Sequence, residues 1–190
     1  MSGSRIDSLN NGVCPFKESL IADALAATRV EVAIVTLASS PAVVQDFVNL
    51  GQFNPPTLGA NGTTAMGGGV ELALDHLTTR KADYRSNGIP YYRPWIFLIT
   101  DGSPTESIDE VRRRIAEGEA KRSFSFLSIG VEEADIATRS TLSSRAPLRL
   151  EGLDFGHLTA WIGPTAMIKM EAQLEFNGQV ARPPPTSGEI

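Results

Sequence analysis

Cysteine is nearly absent: the single thiol, Cys14, can form no internal disulfide, stands in no CxxC spacing and has no histidine nearby. That excludes a disulfide framework and fits a reducing compartment. The amino end lacks the charged-then-apolar build of a secretory signal. No stretch approaches the roughly 18–20 apolar residues of a membrane-spanning helix. A cytoplasmic location without a membrane partner is expected. Basic runs are scarce too, and 17 Lys+Arg against 22 Asp+Glu leave a formal net charge of −5. That balance argues against nucleic acid as a partner. Arg112, Arg113 and Arg114 are interleaved with Asp109, Glu110, Glu117 and Glu119, the pattern of a solvated helix face. The two histidines, His76 and His157, have no serine or cysteine nucleophile in matching context and read as structural or surface residues.

What is present is an ordinary globular composition, 190 residues with 42% hydrophobic and 21% charged, enough for one domain with a real core. Ile6, Leu9, Val13, Phe16 and Leu20 recur at three- and four-residue steps and predict a helix over 4–24. Pro15, just after Asn10-Asn11-Gly12, should kink or break it. The apolar, β-branched run 30–37 predicts a strand covered on both faces. Residues 43–48 predict a second strand, and the short Ser39-Ser40-Pro41 connection makes that pair antiparallel. After a Gly-, Pro- and Asn-rich loop over 51–63, a helix is expected over 65–82. Residues 95–100 (WIFLIT) carry the strongest strand pattern and stop at Asp101-Gly102. Ser107 and Glu110 have capping-box spacing ahead of a helix carrying Val111 and Ile115. A strand over 124–131, a short helix near 134–142, a short strand at 148–150 and a helix over 154–170 follow. Strands alternating with helices imply an α/β fold, a doubly wound, mostly parallel sheet with helices on both faces. The domain should span 1–175, followed by a Pro-rich, flexible tail over 176–190.

Ligands of such sheets sit at the carboxyl ends of the strands. Two loops there carry oxygen donors: Asn61-Gly62-Thr63-Thr64-Ala65-Met66-Gly67 and Thr100-Asp101-Gly102-Ser103-Pro104-Thr105. A hydroxyl and a lone carboxylate suit a hard cation such as Mg²⁺, which takes few carboxylates. Local sequence leaves two other readings open, with Thr64 as a helix cap and Asp101-Gly102 as a simple turn. Gly67-Gly68-Gly69 offers amides to an anion but lacks the Lys-Ser/Thr of a P-loop, which favours tight packing. Asn61-Gly62-Thr63 matches a glycosylation acceptor in form only.

Several stretches, IDSLNNG, VEVAIVTLAS, NGTTAMG, EGEAKRSFSFLSIGV, PLRLEGLDFGHLTAWI and above all GIPYYRPWIFLITDGSPT, resemble the von Willebrand factor A domain. They are most similar to its bacterial TerY-like group, named for tellurium-resistance loci. The resemblance runs from Met1 to about Trp161 and implies a Rossmann-like fold. It also implies a metal-ion-dependent adhesion site, built from an Asp-x-Ser-x-Ser after the first strand, a threonine and an aspartate. The threonine maps to Thr64 and the aspartate to Asp101. The first strand and its loop have no counterpart here, since the resemblance begins just past them. Reading Ser2-Gly3-Ser4 as the tail of that motif leaves only Arg5 before the helical Ile6, and no aspartate.

The function so implied is that of a binding module rather than an enzyme. Mg²⁺ or Mn²⁺ would hold an acidic side chain of a protein ligand, in a tellurite- or stress-resistance setting where a kinase and a metal-dependent phosphatase are plausible partners. The alternatives are a metal-free scaffold and a metal-dependent phosphatase or nucleotide hydrolase. The family's missing first strand would lie centrally, between 30–37 and 95–100. Three arrangements are therefore expected: direct pairing of those strands, a gap filled by another chain or by the tail, or an unsupported slot. In the last case unpaired backbone groups would cost about 1–3 kcal/mol each wherever they are buried.

Overall fold

The computed structural model describes residues 3–60, 62–131, 142 and 148–150. The expected helices near 134–142 (Leu142 apart) and over 154–170, and the tail from 176, lie outside the described residues. The elements, in order, are α1 (Ser4–Ile21), α2 (Ala24–Arg29), β1 (Glu31–Thr36), β2 (Ala42–Asn49), α3 (Met66–Ser86), β3 (Trp95–Thr100), α4 (Asp109–Ala120), β4 (Ser125–Val131) and β5 (Leu148–Leu150). The chain is α/β.

Three local features differ from the expectations. Of the kink or break expected at Pro15, the break does not occur, since helix α1 runs through it. Pro15 and Asn11, whose carbonyl loses its helical donor, are both exposed, so water can satisfy the orphaned oxygen. Pro15→Ala should therefore restore a backbone bond, raise the unfolding free energy by about 1–3 kcal/mol once the lost rigidity of the unfolded chain is subtracted, and raise the melting temperature with it. An unchanged or lower melting temperature would show that the proline is already accommodated at no cost. The second is an addition between the expected helix over 4–24 and the strand from 30, where a separate short helix, α2, forms. Asp23 explains it, since its Oδ1 accepts the Ala26 amide hydrogen bond at 3.0 Å, an Asx cap. The third is the capping box. Helix α4 starts behind Ile108, which gives no side-chain cap. Glu110 turns to Arg113, whose Nε donates to it at 3.0 Å, instead of reaching back to Ser107.

β1 and β2 pair antiparallel, as the short connection demands. β3, β4 and β5 are parallel in the order β3-β4-β5, with Trp95 opposite Ser125 and Ile129 opposite Leu148. The expected single sheet is thus seen as two among the described residues, one of two strands and one of three. β1 and β3 do not pair directly, and no described strand lies between them.

Helix α3 ties the two sheets together. Its Met66, Val70, Leu74 and Leu77 are buried with Leu98 of β3, Phe126 of β4 and Ile108, Val111 and Ile115 around α4, and Leu37, Phe47 and Ile96 pack against them. The opposite side of the β1–β2 pair is covered by α1 and α2, where Leu20, Ala26 and Leu50 are buried against Phe16, Val30 and Val32. Among the described residues no helix is long and apolar enough to cross a membrane.

Candidate functional site

The carboxyl ends of β1 and β3 are joined by the loop that leads into α3. The amide of Ala65 donates to the Leu37 carbonyl at 3.1 Å, just past the end of β1. On its other side the Thr64 carbonyl accepts the Thr105 hydroxyl at 3.1 Å and the Thr105 amide at 3.4 Å. The loop is pinned further back by Ser39, whose Oγ accepts the Thr63 amide at 2.8 Å. Gly62 has a positive φ of 75°, a conformation that costs a side-chain-bearing residue more than glycine.

Thr64 and Asp101 are brought to the same corner. A Cβ placed on Gly102 would fall 2.7 Å from Thr64 Oγ1, so the hydroxyl sits directly against the backbone that follows Asp101. Any larger residue at 102 would force the hydroxyl to shift. The turn is held from below by buried Thr100, whose Oγ1 accepts the Gly102 amide at 3.2 Å. The helix-cap reading of Thr64 does not hold, because the residue capping α3 is Ala65 and no side chain caps it. The turn reading of Asp101-Gly102 is correct as far as it goes.

Two residues that sequence reasoning passed over complete the corner. Arg5, in the first turn of α1, donates from Nη1 to Asp101 Oδ2 at 3.0 Å, and the Asp101 side chain is only 10% exposed. A cation in a helix's first turn is unfavourable for the macrodipole, and that was the available sign that Arg5 has a carboxylate partner. Burial opposes ionisation of Asp101, yet hydrogen bonding and positive charge facing it, with Arg5 among the sources, hold its carboxyl below the usual carboxylate range. Glu106 is the second addition. Its Oε1 accepts the amides of Gly67 at 2.8 Å and Gly68 at 3.3 Å, so the protein's own carboxylate meets the opening turn of α3. Gly69 is packed against Leu37, in keeping with the packing reading of the glycine triplet. His76 stacks on Phe47 at a centroid distance of 4.9 Å with Nε2 2.9 Å from Asp46 Oδ1, a structural placement. His157 lies outside the described residues.

A hydroxyl and a single low-pKa carboxylate are the right donors for a hard divalent cation, and Thr64 and Asp101 supply both at one point. They are two oxygens, however, and Arg5 already neutralises the carboxylate. No group of three His, Cys, Asp or Glu able to hold a metal occurs among the described residues. The described residues therefore fit part of a cation site, and the remaining ligands would have to come from water or from oxygens outside the described residues.

No protein-family model matches the chain, and no curated protein matches it. A solved structure described as an uncharacterized membrane spanning protein from Vibrio fischeri is 14% identical, covers 92% of this chain and 90% of its own, and has a TM-score of 0.29. Likeness at that level carries no argument about fold or function.

Proposed function

We propose that the chain is a cytoplasmic protein-interaction module of the von Willebrand factor A type, a doubly wound domain of the TerY-like group. In this reading Thr64 and Asp101 hold Mg²⁺ or Mn²⁺, and a protein ligand offers an acidic side chain to it. When bound, the cation would supply a Lewis-acidic point for that carboxylate. A kinase or a metal-dependent phosphatase of a tellurite- or stress-resistance system is the partner the resemblance suggests. The observation that carries the proposal is the seating of the Thr64 hydroxyl against Gly102, which puts a neutral and an anionic oxygen donor at one corner. A hydrolase would need several carboxylates or a base beside a nucleophile. This corner offers one carboxylate held by an arginine, which favours binding over catalysis.

The Arg5–Asp101 ion pair favours a second reading, a metal-free scaffold in which the guanidinium stands where a cation would. The two readings separate cleanly by thermal unfolding of the full chain. Under the metal reading, Mg²⁺ or Mn²⁺ at about 100 times its dissociation constant adds roughly 2.7 kcal/mol of stability. Asp101→Ala should remove that gain and Arg5→Gln should bring it in at lower cation concentration. An equal gain in Asp101→Ala would place the ion elsewhere. A destabilised Arg5→Gln variant with no cation response in any form would establish the scaffold.

A further inference from the structure

Helices α3 and α4 lead into the neighbouring parallel strands β3 and β4, and both stop in the same way. After α3 the Gly88 amide donates to the Arg85 carbonyl at 3.1 Å and the Ile89 amide to the Tyr84 carbonyl at 2.8 Å. After α4 the Arg122 amide donates to the Glu119 carbonyl at 3.0 Å and the Ser123 amide to the Gly118 carbonyl at 2.8 Å. This pair of bonds closes on a left-handed residue, usually glycine, because glycine has no Cβ to clash there. Gly88, with φ 65°, fits that rule, and Arg122, with φ 52°, breaks it. A side chain held where glycine would be cheaper points to a use for that side chain.

Arg122 is exposed, and other cations gather at its turn. Lys81 Nζ donates to the Ser123 carbonyl at 2.9 Å, and Arg93 Nε donates to the Phe124 carbonyl at 2.9 Å. Lys81 and the exposed Arg85 stand one helical turn apart on α3. Both lie over the Tyr91 ring, 5.7 and 5.9 Å from its centre. Burial first, and then the charge of Arg85, hold the Lys81 ammonium below its ordinary value, so like charges press on each other here. The carboxylates of these two helices are turned elsewhere. Glu117 pairs with Arg113 and Lys121, and Glu119 accepts the Phe126 amide at 3.2 Å. Asp83 lies two positions from both Lys81 and Arg85, on another face of α3. Ile89, 48% exposed and fixed by its bond to Tyr84, adds an apolar side chain beside Arg85 and Tyr91 in the chain.

We propose that Lys81, Arg85 and Arg122, with Tyr91 and Ile89, form a docking surface for an acidic segment of a protein partner, its carboxylates flanking one apolar residue. Charge complementarity sets the acidic character, and the exposed Ile89 sets the apolar residue. Tyrosine and arginine are also residues on which protein interfaces concentrate their affinity. A single-stranded nucleic acid would need open ring faces for its bases, whereas Tyr91 is already covered by Lys81 and Arg85. The chain's net charge of −5 also repels a long polyanion that reaches beyond this patch. The surface lies at the amino ends of β3 and β4, away from Thr64 and Asp101 at the carboxyl ends. The inference is therefore independent of any cation there.

The test uses the full chain and a short peptide of glutamates with one leucine at its centre, followed by amide chemical shifts. Shifts should centre on residues 81–91 and 121–124, and the same peptide with glutamine for glutamate should leave them unmoved. Arg85→Gln should weaken binding by about two- to five-fold, as befits an exposed ion pair. Arg122→Gly should weaken it by a similar factor while raising the melting temperature, because glycine relieves the left-handed residue. That opposite movement separates a binding role from a structural one. A fall in melting temperature in Arg122→Gly would show that the arginine serves the fold and would overturn the inference. So would an absence of shifts, shifts centred elsewhere, or binding indifferent to both variants. Tighter binding of single-stranded polyuridine or of phosphatidylserine vesicles than of the acidic peptide would overturn it as well.

Discussion

Phe126→Ala should lower the unfolding free energy by about 3–5 kcal/mol, the cost of a large cavity in a packed core. Phe126 is fully buried in β4 and lies where α3, α4 and β3 converge, among Val70, Leu74, Leu98, Val111 and Ile115. It belongs to the cluster that, among the described residues, ties the β1–β2 pair to the parallel strands, so its loss should loosen both sheets together. Denaturant unfolding followed by tryptophan fluorescence and far-UV circular dichroism would check this. Trp95 lies two strand positions before Phe97 and pairs across to Ser125, next to the cavity. A loss below about 1 kcal/mol would mean that the neighbours collapse into the space, or that the core is looser than described.

Arg80→Met should cost about 1–3 kcal/mol at neutral pH, a larger effect than a surface pair gives. Arg80 Nε donates to Glu31 Oε2 at 2.9 Å and Nη2 to Oε1 at 2.5 Å, joining α3 to the first residue of β1 in a forked pair. The guanidinium also lies 4.8 Å from the Tyr84 ring centre. The Glu31 side chain is 16% exposed, so the substitution strands a carboxylate in a poorly hydrated place. Burial raises the Glu31 carboxyl, but hydrogen bonds from Arg80 and Tyr84 and the Arg80 charge outweigh it and hold the group below its ordinary value of 4.5. Because the folded value is the lower one, the contribution is complete above 4.5 and is lost as pH falls through the folded value. The stability difference between the natural chain and Arg80→Met should therefore be constant near neutrality and shrink below that point. A difference that held its size into strong acid would contradict the ion-pair origin and point to lost packing of the arginine stem.

How much of this was legible in advance varied with how local the cause was. β3 stood out because five apolar residues and a threonine are bounded by Pro94 and by Asp101-Gly102, and the structure begins and ends the strand at Trp95 and Thr100. The antiparallel β1–β2 pair followed from a connection too short for a crossover. Pro15 misled, because its effect depends on whether the orphaned carbonyl faces water, and that is set by how α1 packs. Glu110 misled in a similar way, since a nearby arginine competes for the carboxylate a capping box needs.

The corner itself was half legible. Thr64 and Asp101 were singled out through a resemblance, while their own neighbourhoods allowed a cap and a turn equally well. Arg5 meets Asp101 across 96 positions of sequence, and Glu106 meets Gly67 across 39. Such pairs carry no periodic signature, and only the folded chain brings them together. The division into two sheets was foreseeable only as one of several outcomes, because it depends on what stands between two strands that each look like interior ones.

Manganese offers the most direct measurement, because its unpaired electrons broaden the amide resonances of nearby residues. Added in small amounts to isotope-labelled full-length chain, Mn²⁺ should broaden residues 62–65 and 101–105 first, and excess Mg²⁺ should restore them. Asp101→Ala should abolish the effect at those positions. Broadening centred on the acidic face of α4, around Asp109, Glu110 and Glu117, or no selective broadening at all, would show that the Thr64–Asp101 corner is not a cation-dependent binding site.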